Sequence, residues 1–347
     1  MIQSHAPETN GGYAQTNTEP IDTQTTGAEH QVLVAEELRK SYGDRGALRG
    51  LSFSLQAGRI LGFLGPNGAG KTTAIRILTT ILAPDSGHFV VDGITSEHPE
   101  SIRRKIGVLP ESLGFPKQIT GIEYLTFFGQ LYGRSKKDAR EAGLVLLEQI
   151  GLHQRGKSLI GSYSRGMRQR LGIARALIND PAVVFLDEPT LGLDPRGQQE
   201  LLALVRRIAH ERNAGVILCS HLLSEIEDVC DDVLILRTGQ IIAQGTVREV
   251  VRQAKRNVIR IQVPLASVER AQQILTVLPN VTNVTITGTT ETWLVVELAD
   301  SASTEDEQIK ASIVDALVRA EIPVLSFGVG GGRLQDVFLQ LTEEVTA

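Results

Sequence analysis

The sequence predicts an α/β fold: a largely parallel sheet covered by helices, with a helical subdomain inserted in it and a small α+β accessory domain of ferredoxin-like order behind it. Three observations carry this expectation. Over 31–245, short β-rich runs alternate with helical patterns, as parallel strands joined by crossover helices require. Two of the runs, 182–187 and 216–220, are nearly unbroken apolar stretches, the mark of strands buried on both faces. From about Thr246 the rhythm changes to β-α-β-β-α-β. At 347 residues and 41% apolar content, the chain has material for about two domains with buried cores.

Taken in order, residues 1–30 are Thr, Gln, Asn, Gly and acid without Lys or Arg, too poor in apolar side chains to offset their ordering entropy, so a flexible tail is expected. Strands are expected at 59–64, 182–187, 216–220 and 233–236, the last continuing through a turn at 237–240 into a hairpin partner at 241–243. In the accessory domain, 246–347, Ile259, Ile261 and Val263 alternate with polar residues. Val268, Ala271, Ile274 and Leu278 then recur at helical spacing. Strand-like 284–287 and 293–298 follow, then a helix carrying Ile309, Ile313, Ala316 and Ala320, and a strand near 324–327. Four glycines in 328–332 predict a hinge or turn, and Leu334, Val337, Phe338 and Leu341 share one face of a final amphipathic helix.

Composition excludes several classes. Forty acidic against 35 basic side chains leave a net charge of -5, so the basic footprint of a nucleic-acid binder is missing. The two cysteines, Cys219 and Cys230, have no second Cys or His at metal-ligand spacing, which argues against disulfides and zinc. No basic, apolar leader and no run of about 18 uncharged apolar residues occurs, so neither secretion by that route nor membrane spanning is expected.

The chemistry is written in a loop. The strand at 59–64 runs into Gly65-Pro66-Asn67-Gly68-Ala69-Gly70-Lys71-Thr72-Thr73, after which Ile75, Leu78 and Ile81/Leu82 keep a helical period. This G-x-x-x-x-G-K-T pattern in a strand-loop-helix context is a P-loop, whose glycines let backbone N–H groups approach phosphate oxygens at a helix N-terminus. Lys71 would neutralise the β- and γ-phosphates of a bound nucleotide and the Thr72 hydroxyl would hold Mg²⁺. The strand at 182–187 ends in Asp187-Glu188. An Asp at a strand's carboxyl end can complete the Mg²⁺ shell, and the adjacent Glu can activate water.

Ser164-Arg165-Gly166-Met167-Arg168-Gln169-Arg170-Leu171, shortly before that strand, resembles the signature motif of the nucleotide-binding subunits of ABC transporters. The resemblance covers about 31–245. It implies a P-loop NTPase core of the ABC ATPase type, with Tyr42 stacking on adenine, Leu191-Gly192-Leu193-Asp194 as the D-loop and His221 as the switch histidine. On the residues alone, Ser164 is also a helix N-cap, His221 also a strand-end packing residue, and 41–43 also a turn. Where the family usually has Leu, Gly and Gln, the signature here has Tyr163, Arg165 and Met167, while Ser164 and Gly166 remain; Glu111 stands where a Q-loop Gln is usual. A carboxylate there can still ligate Mg²⁺. Both variants, and the ending Leu334-Gln335-Asp336-Val337-Phe338-Leu339, are similar to type-2 exporters of drugs, polysaccharides or metal-linked substrates.

The resemblance implies an ATPase at the inner face of the cell membrane, cytoplasmic and peripherally associated. It would pair head to tail, as a homodimer or with a related ATPase, so that Ser164 and Gly166 of one subunit meet the γ-phosphate held by Lys71 of the other. A separate transmembrane permease would be powered by that ATP-driven closure, with Glu188 as base, and the helical subdomain at 111–161 would touch it. Tyr124, Phe127, Phe128 and Tyr132 there fit either partner contact or packing on the subdomain's own core. Arg165, Arg168, Arg170 and Arg175 read as a solvated or phosphate-facing cluster, with no nucleic acid needed. The alternative is a soluble ABC ATPase of translation or DNA repair, against which stand one P-loop, no heptad insertion and no basic tail. A regulatory GTPase lacks its Asn-Lys-x-Asp sequence. The accessory domain fits an effector sensor or a dimerisation or spacing module.

Overall fold

The computed structural model describes residues 30–112, 114–253, 258–287, 292–299, 306–330 and 333–343. The tail expected over 1–30 lies outside them except for His30.

The chain opens on two long strands, β1 (Gln31–Tyr42) and β2 (Arg45–Gln56), followed by β3 (Ile60–Leu64), α1 (Lys71–Leu78), β4 (Ser86–Val91) and β5 (Ile94–Thr95). β1 pairs antiparallel with β2 and β4, giving a four-stranded sheet in the order β2-β1-β4-β5. The sequence reading did not anticipate this sheet. In β2, Leu48, Leu51, Phe53 and Leu55 face inward, but β1 carries Glu36, Glu37 and Arg39 on its exposed side and its pairing slips register around 35–39. Such bulges break the alternation by which a strand is recognised.

The central sheet is the parallel one expected. After α2 (Pro99–Lys105), β6 (Ile106–Leu109) forms its edge, and the chain leaves it for the helical hairpin α3 (Gly121–Leu131) and α4 (Lys136–Gln149). A capping box at Thr120/Glu123 starts α3, and Ser135 caps α4. Then come α5 (Arg165–Leu177), β7 (Val183–Asp187), α6 (Pro195–Arg212), β8 (Gly215–Cys219), α7 (Leu223–Val229), β9 (Asp232–Arg237), β10 (Gln240–Thr246) and α8 (Val247–Gln253). Strand order is β10-β9-β3-β8-β7-β6; all neighbours are parallel except the terminal β9–β10 hairpin.

Alternation along each strand divides the core. Ile60, Leu64, Val184, Leu186, Val216 and Leu218 face one way, into a core shared with α3 to α7. Leu61, Phe63, Phe185 and Ile217 face the antiparallel sheet and α1. Fully apolar strands covered on both sides are what parallel sheets require. Cys219 and Cys230 are free, buried thiols whose pKa burial pushes well up, so they act as small apolar side chains.

A separate hydrophobic cluster lies within 259–327. In the chain order β11 (Val258–Gln262), α9 (Val268–Thr276), β12 (Val281–Thr287), β13 (Trp293–Leu298), α10 (Glu307–Arg319) and β14 (Ser326–Gly330), the four strands form an antiparallel sheet in the order β12-β13-β11-β14. This is the expected ferredoxin-like arrangement. One expectation is corrected: Gly328 and Gly330 are strand residues, paired with Arg260 and Val258, not a turn. Glycine's missing side chain does not prevent its backbone from completing an edge ladder. Residues 331 and 332 lie outside the described set.

The last helix, α11 (Leu334–Glu343), does not pack in that accessory core. Leu334 and Val337 are fully buried in the larger core, alongside Val247 and Val250 of α8, and Phe338 and Leu341 pack against it. The Leu334 N–H donates to Glu227 of α7 at 3.2 Å, and Asp336 pairs with Arg260 of β11 at 2.6 Å.

Candidate active site

β3 delivers the chain to the loop 65–70 and α1 leaves it, so the loop's N–H groups and the helix start face one space. Gly65 has φ +155°, and a Cβ there would collide with the carbonyl of Leu236 on β9. The Lys71 ammonium is folded across the loop, donating to the Gly65 carbonyl and, at 3.2 Å, to that of Pro66. A cation thus lies across the loop, held by two of its carbonyls.

The adjacent strands β7 and β8 end beside it. Asp187 pairs with Cys219 across the ladder, and one residue further the Glu188 carboxylate meets His221 Nδ1 at 2.7 Å. Glu188 has φ +48°, a left-handed conformation that a non-glycine residue adopts at a cost of about 1–3 kcal/mol. Burial, followed by the charges of Glu111 and Glu188, raises the Asp187 pKa above its ordinary value, with Lys71 and Arg76 opposing. Two further carboxylates and one lysine therefore crowd Asp187 at the carboxyl edge of the sheet, where open α/β sheets bind ligands.

A groove of about 1140 Å³ joins these parts. Tyr42, every residue from Gly65 to Thr73, Glu111, Asp187, Glu188 and His221 line it. It does not include Ser164 or Gly166. Ser164 caps α5, its Oγ accepting from the Met167 N–H at 3.3 Å, and the turn around it borders a smaller recess lined by Glu111, Arg165, Arg168 and Gln169.

The arginine cluster is corrected by the structure. Arg168 donates to the Tyr163 carbonyl at 2.6 Å, and Arg170 pairs with Glu200 at 2.6 Å. Arg175 donates to the Val108 carbonyl at 2.8 Å and lies over the Phe128 ring. These three pin neighbouring elements rather than face solvent or phosphate. Arg165 alone is exposed, its guanidinium filling the space where Gly192 lacks a side chain. The aromatic run also divides: Tyr124 and Phe128 pack with Phe115 inside the helical hairpin, while Phe127 and Tyr132 are exposed.

The sequence reading missed Arg45, which joins Tyr42 at the groove's rim, and Phe338, which reaches it from α11. It also missed Glu225, one of three acids in α7 and buried there with Ile226 and Val229.

Residues 48–191 match the family described as ABC transporter. Over 314 residues the chain is 32% identical to the linearmycin resistance ATP-binding protein LnrL of Bacillus subtilis, covering 90% of this chain and 98% of that protein. The chain belongs to the ABC transporter ATP-binding family. Another ABC relative is the daunorubicin/doxorubicin resistance ATP-binding protein DrrA of Streptomyces peucetius, 35% identical over 93% of this chain and 94% of its own length. The bacitracin transport ATP-binding protein BcrA of Bacillus licheniformis is 40% identical over 61% and 69%. Among solved structures, an ATP binding subunit of an ABC transporter superposes with TM-score 0.57 at 30% identity, covering 64% of this chain and 92% of that one. The cbiO1 protein of Clostridium perfringens, part of an ABC transporter complex, gives TM-score 0.59 at 28% identity, over 65% and 95%. This ABC chain is thus a P-loop ATPase that binds and hydrolyses ATP in a transporter, and an ABC ATPase of translation or DNA repair is not favoured. Among the described residues no helix is long and apolar enough to cross a membrane.

Proposed function

We propose that the chain powers an exporter by hydrolysing Mg²⁺-ATP in the groove above Lys71, in a closed pair of ATPase subunits seated at the inner face of the membrane on a separate permease. The juxtaposition of Glu188 and His221 at 2.7 Å, beside Asp187 and opposite the P-loop, is the observation that carries it. The names of LnrL, DrrA and BcrA support export of antibiotic-like compounds.

In this reading the 65–70 amides and Lys71 hold the phosphates, and Tyr42 takes the adenine. The raised Asp187 pKa fits a cation: carboxylates crowded at one edge are relieved by a hard divalent ion. Among the described residues no group of three or more His, Cys, Asp or Glu side chains could hold a metal by itself, which suits an ion that keeps phosphate and water oxygens as ligands. Thr72, Asp187 and Glu111 would supply the protein oxygens. Held by these residues, Mg²⁺ would supply Lewis-acid stabilisation of the charge that develops on the phosphoryl and leaving oxygens. Glu188 takes the proton of the attacking water, and His221 Nδ1 holds the carboxylate oxygen that does not. Ser164 and Gly166, outside the chain's own groove, are offered to the γ-phosphate of the second subunit. We take 31–245 as the ATPase domain, 111–161 as its permease-facing helical part and 246–347 as the accessory domain.

Glu188→Gln should bind ATP, form a nucleotide-dependent dimer by light scattering and lose about 100-fold or more in turnover. Near-normal turnover would overturn the base assignment. Tagged Glu188→Gln purified with ATP from detergent-solubilised membranes should bring down a multi-span protein in stoichiometric amount. Recovery of soluble ribosomal or DNA-associated proteins alone would overturn the transport reading.

A further inference from the structure

Beyond Asp187 and Cys219 the strands β7 and β8 diverge, and the last backbone tie between them is the Glu188 N–H to the Cys219 carbonyl, 2.9 Å. Past that point the Glu188 turn runs on to Thr190 while the other chain turns at Ser220, His221 and Leu222. Besides the Glu188–His221 pair, one side chain from a third element bridges the two turns. Glu225, in the first turn of α7, accepts through one oxygen, Oε2, from Thr190 Oγ1 at 2.8 Å and from Ser220 Oγ at 2.7 Å. Ser220 Oγ also accepts from the Leu222 N–H at 3.1 Å, fixing the His221 turn from its far side. Thr190, Ser220 and Glu225 are all buried, at 1%, 2% and 4% exposure. The other carboxylate oxygen, Oε1, has no hydrogen-bond partner among the described residues.

That is an expensive way to join two turns, since a buried carboxyl with one idle oxygen loses hydration that nothing replaces. Glu225 contacts none of the groups that hold nucleotide and does not line the groove. The two residues it joins flank the catalytic pair: Thr190 follows Glu188 by two positions, and Ser220 precedes His221. We infer that Glu225 is a positioning residue of the hydrolytic site, holding the Glu188 turn in register with the His221 turn so that the two side chains stay within hydrogen-bond reach. The inference rests on the proposed roles of Glu188 and His221.

The test compares Glu225→Ala, Glu225→Gln and the double variant Thr190→Val/Ser220→Ala, with kcat and KM for Mg²⁺-ATP, affinity for a fluorescent ATP analogue, thermal midpoint and a crystal structure of the alanine variant. Glu225→Ala should lose about 10- to 100-fold in kcat, the scale of a roughly 1 Å misplacement, with KM and analogue affinity within about twofold. Glu225→Gln keeps a carbonyl oxygen for both hydroxyls and should retain about half of kcat or more. The double variant should match Glu225→Ala, and adding that change to it should cost nothing further. In the crystal the Glu188–His221 separation should open beyond hydrogen-bond range. Wild-type kcat in Glu225→Ala, equal loss in Ala and Gln, parallel loss of affinity, or an unaltered pair in the crystal would each overturn the inference. If wild type and Glu188→Gln turned over alike, the base assignment would fall. If turnover needed Glu188 but not Glu225, only the positioning role would fall.

Discussion

Asp187 shows at the scale of one residue what the site costs the fold. Its carboxylate is pressed by burial and by the charges of Glu111 and Glu188, so its pKa in the folded protein lies above that of the unfolded chain. The folded state therefore holds this proton more tightly. As pH rises from the ordinary carboxylate value through the raised one, stability is lost. Asp187→Asn should raise the thermal midpoint of the nucleotide-free protein at pH 7 by about 2 °C or more, and the gain should fade as pH is lowered below the ordinary carboxylate range. With Mg²⁺-ATP added, wild type should be the better stabilised of the two, because the ion prefers the charged ligand. A scan with and without nucleotide checks both. Lys71, Asp187 and Glu188 were legible in sequence because each sits at a fixed step from a strand end. Glu225 was not, because its two partners lie 35 and 5 residues away and no local pattern joins them.

Among elements, α5 ties the helical hairpin to the central sheet. Ser164 caps its start, and Arg175 near its end ties the Val108 carbonyl, three residues before Glu111, to the aromatic side of α3 through Phe128. Arg175→Ala should destabilise by about 1–3 kcal/mol in urea unfolding, since it strips a carbonyl of its donor and a ring of its cation. Arg175→Lys should recover only part, because an ammonium cannot reach both partners with a planar fork. Equal stability of all three proteins would remove Arg175 as a tie between β6 and α3. The periodicity of α5, with Leu171, Ala174, Leu177 and Ile178 buried, was plain in the sequence. Which of its arginines faced inward was not, since Arg175 lies on the partly buried side and its pairing depends on how α3 crosses it. The antiparallel sheet escaped for a related reason: the exposed charges of β1 and its slipped register mask the period of two.

At the scale of the whole molecule, the two hydrophobic units are joined by more than a tether. α11 belongs by sequence to the accessory region and by packing to the larger core, with Leu334 and Val337 buried there and Asp336 holding Arg260 of the accessory sheet. Leu334→Ala should cost about 2–5 kcal/mol, and removing 334–347 should lower the midpoint of the ATPase part itself, followed by the protection of α7 amides in hydrogen exchange. Unaltered protection of α7 would show that the helix rests on the surface without supporting it. The arrangement also orders events during synthesis. The P-loop, both strand-end carboxylates and His221 leave the ribosome well before residues 334–343, and at roughly 5–20 residues per second the interval amounts to several seconds. Until then the face of α7 and α8 that receives Leu334 and Val337 stands open to chaperones and to neighbouring nascent chains, so the catalytic half of this protein is finished only by a segment translated more than a hundred residues after His221.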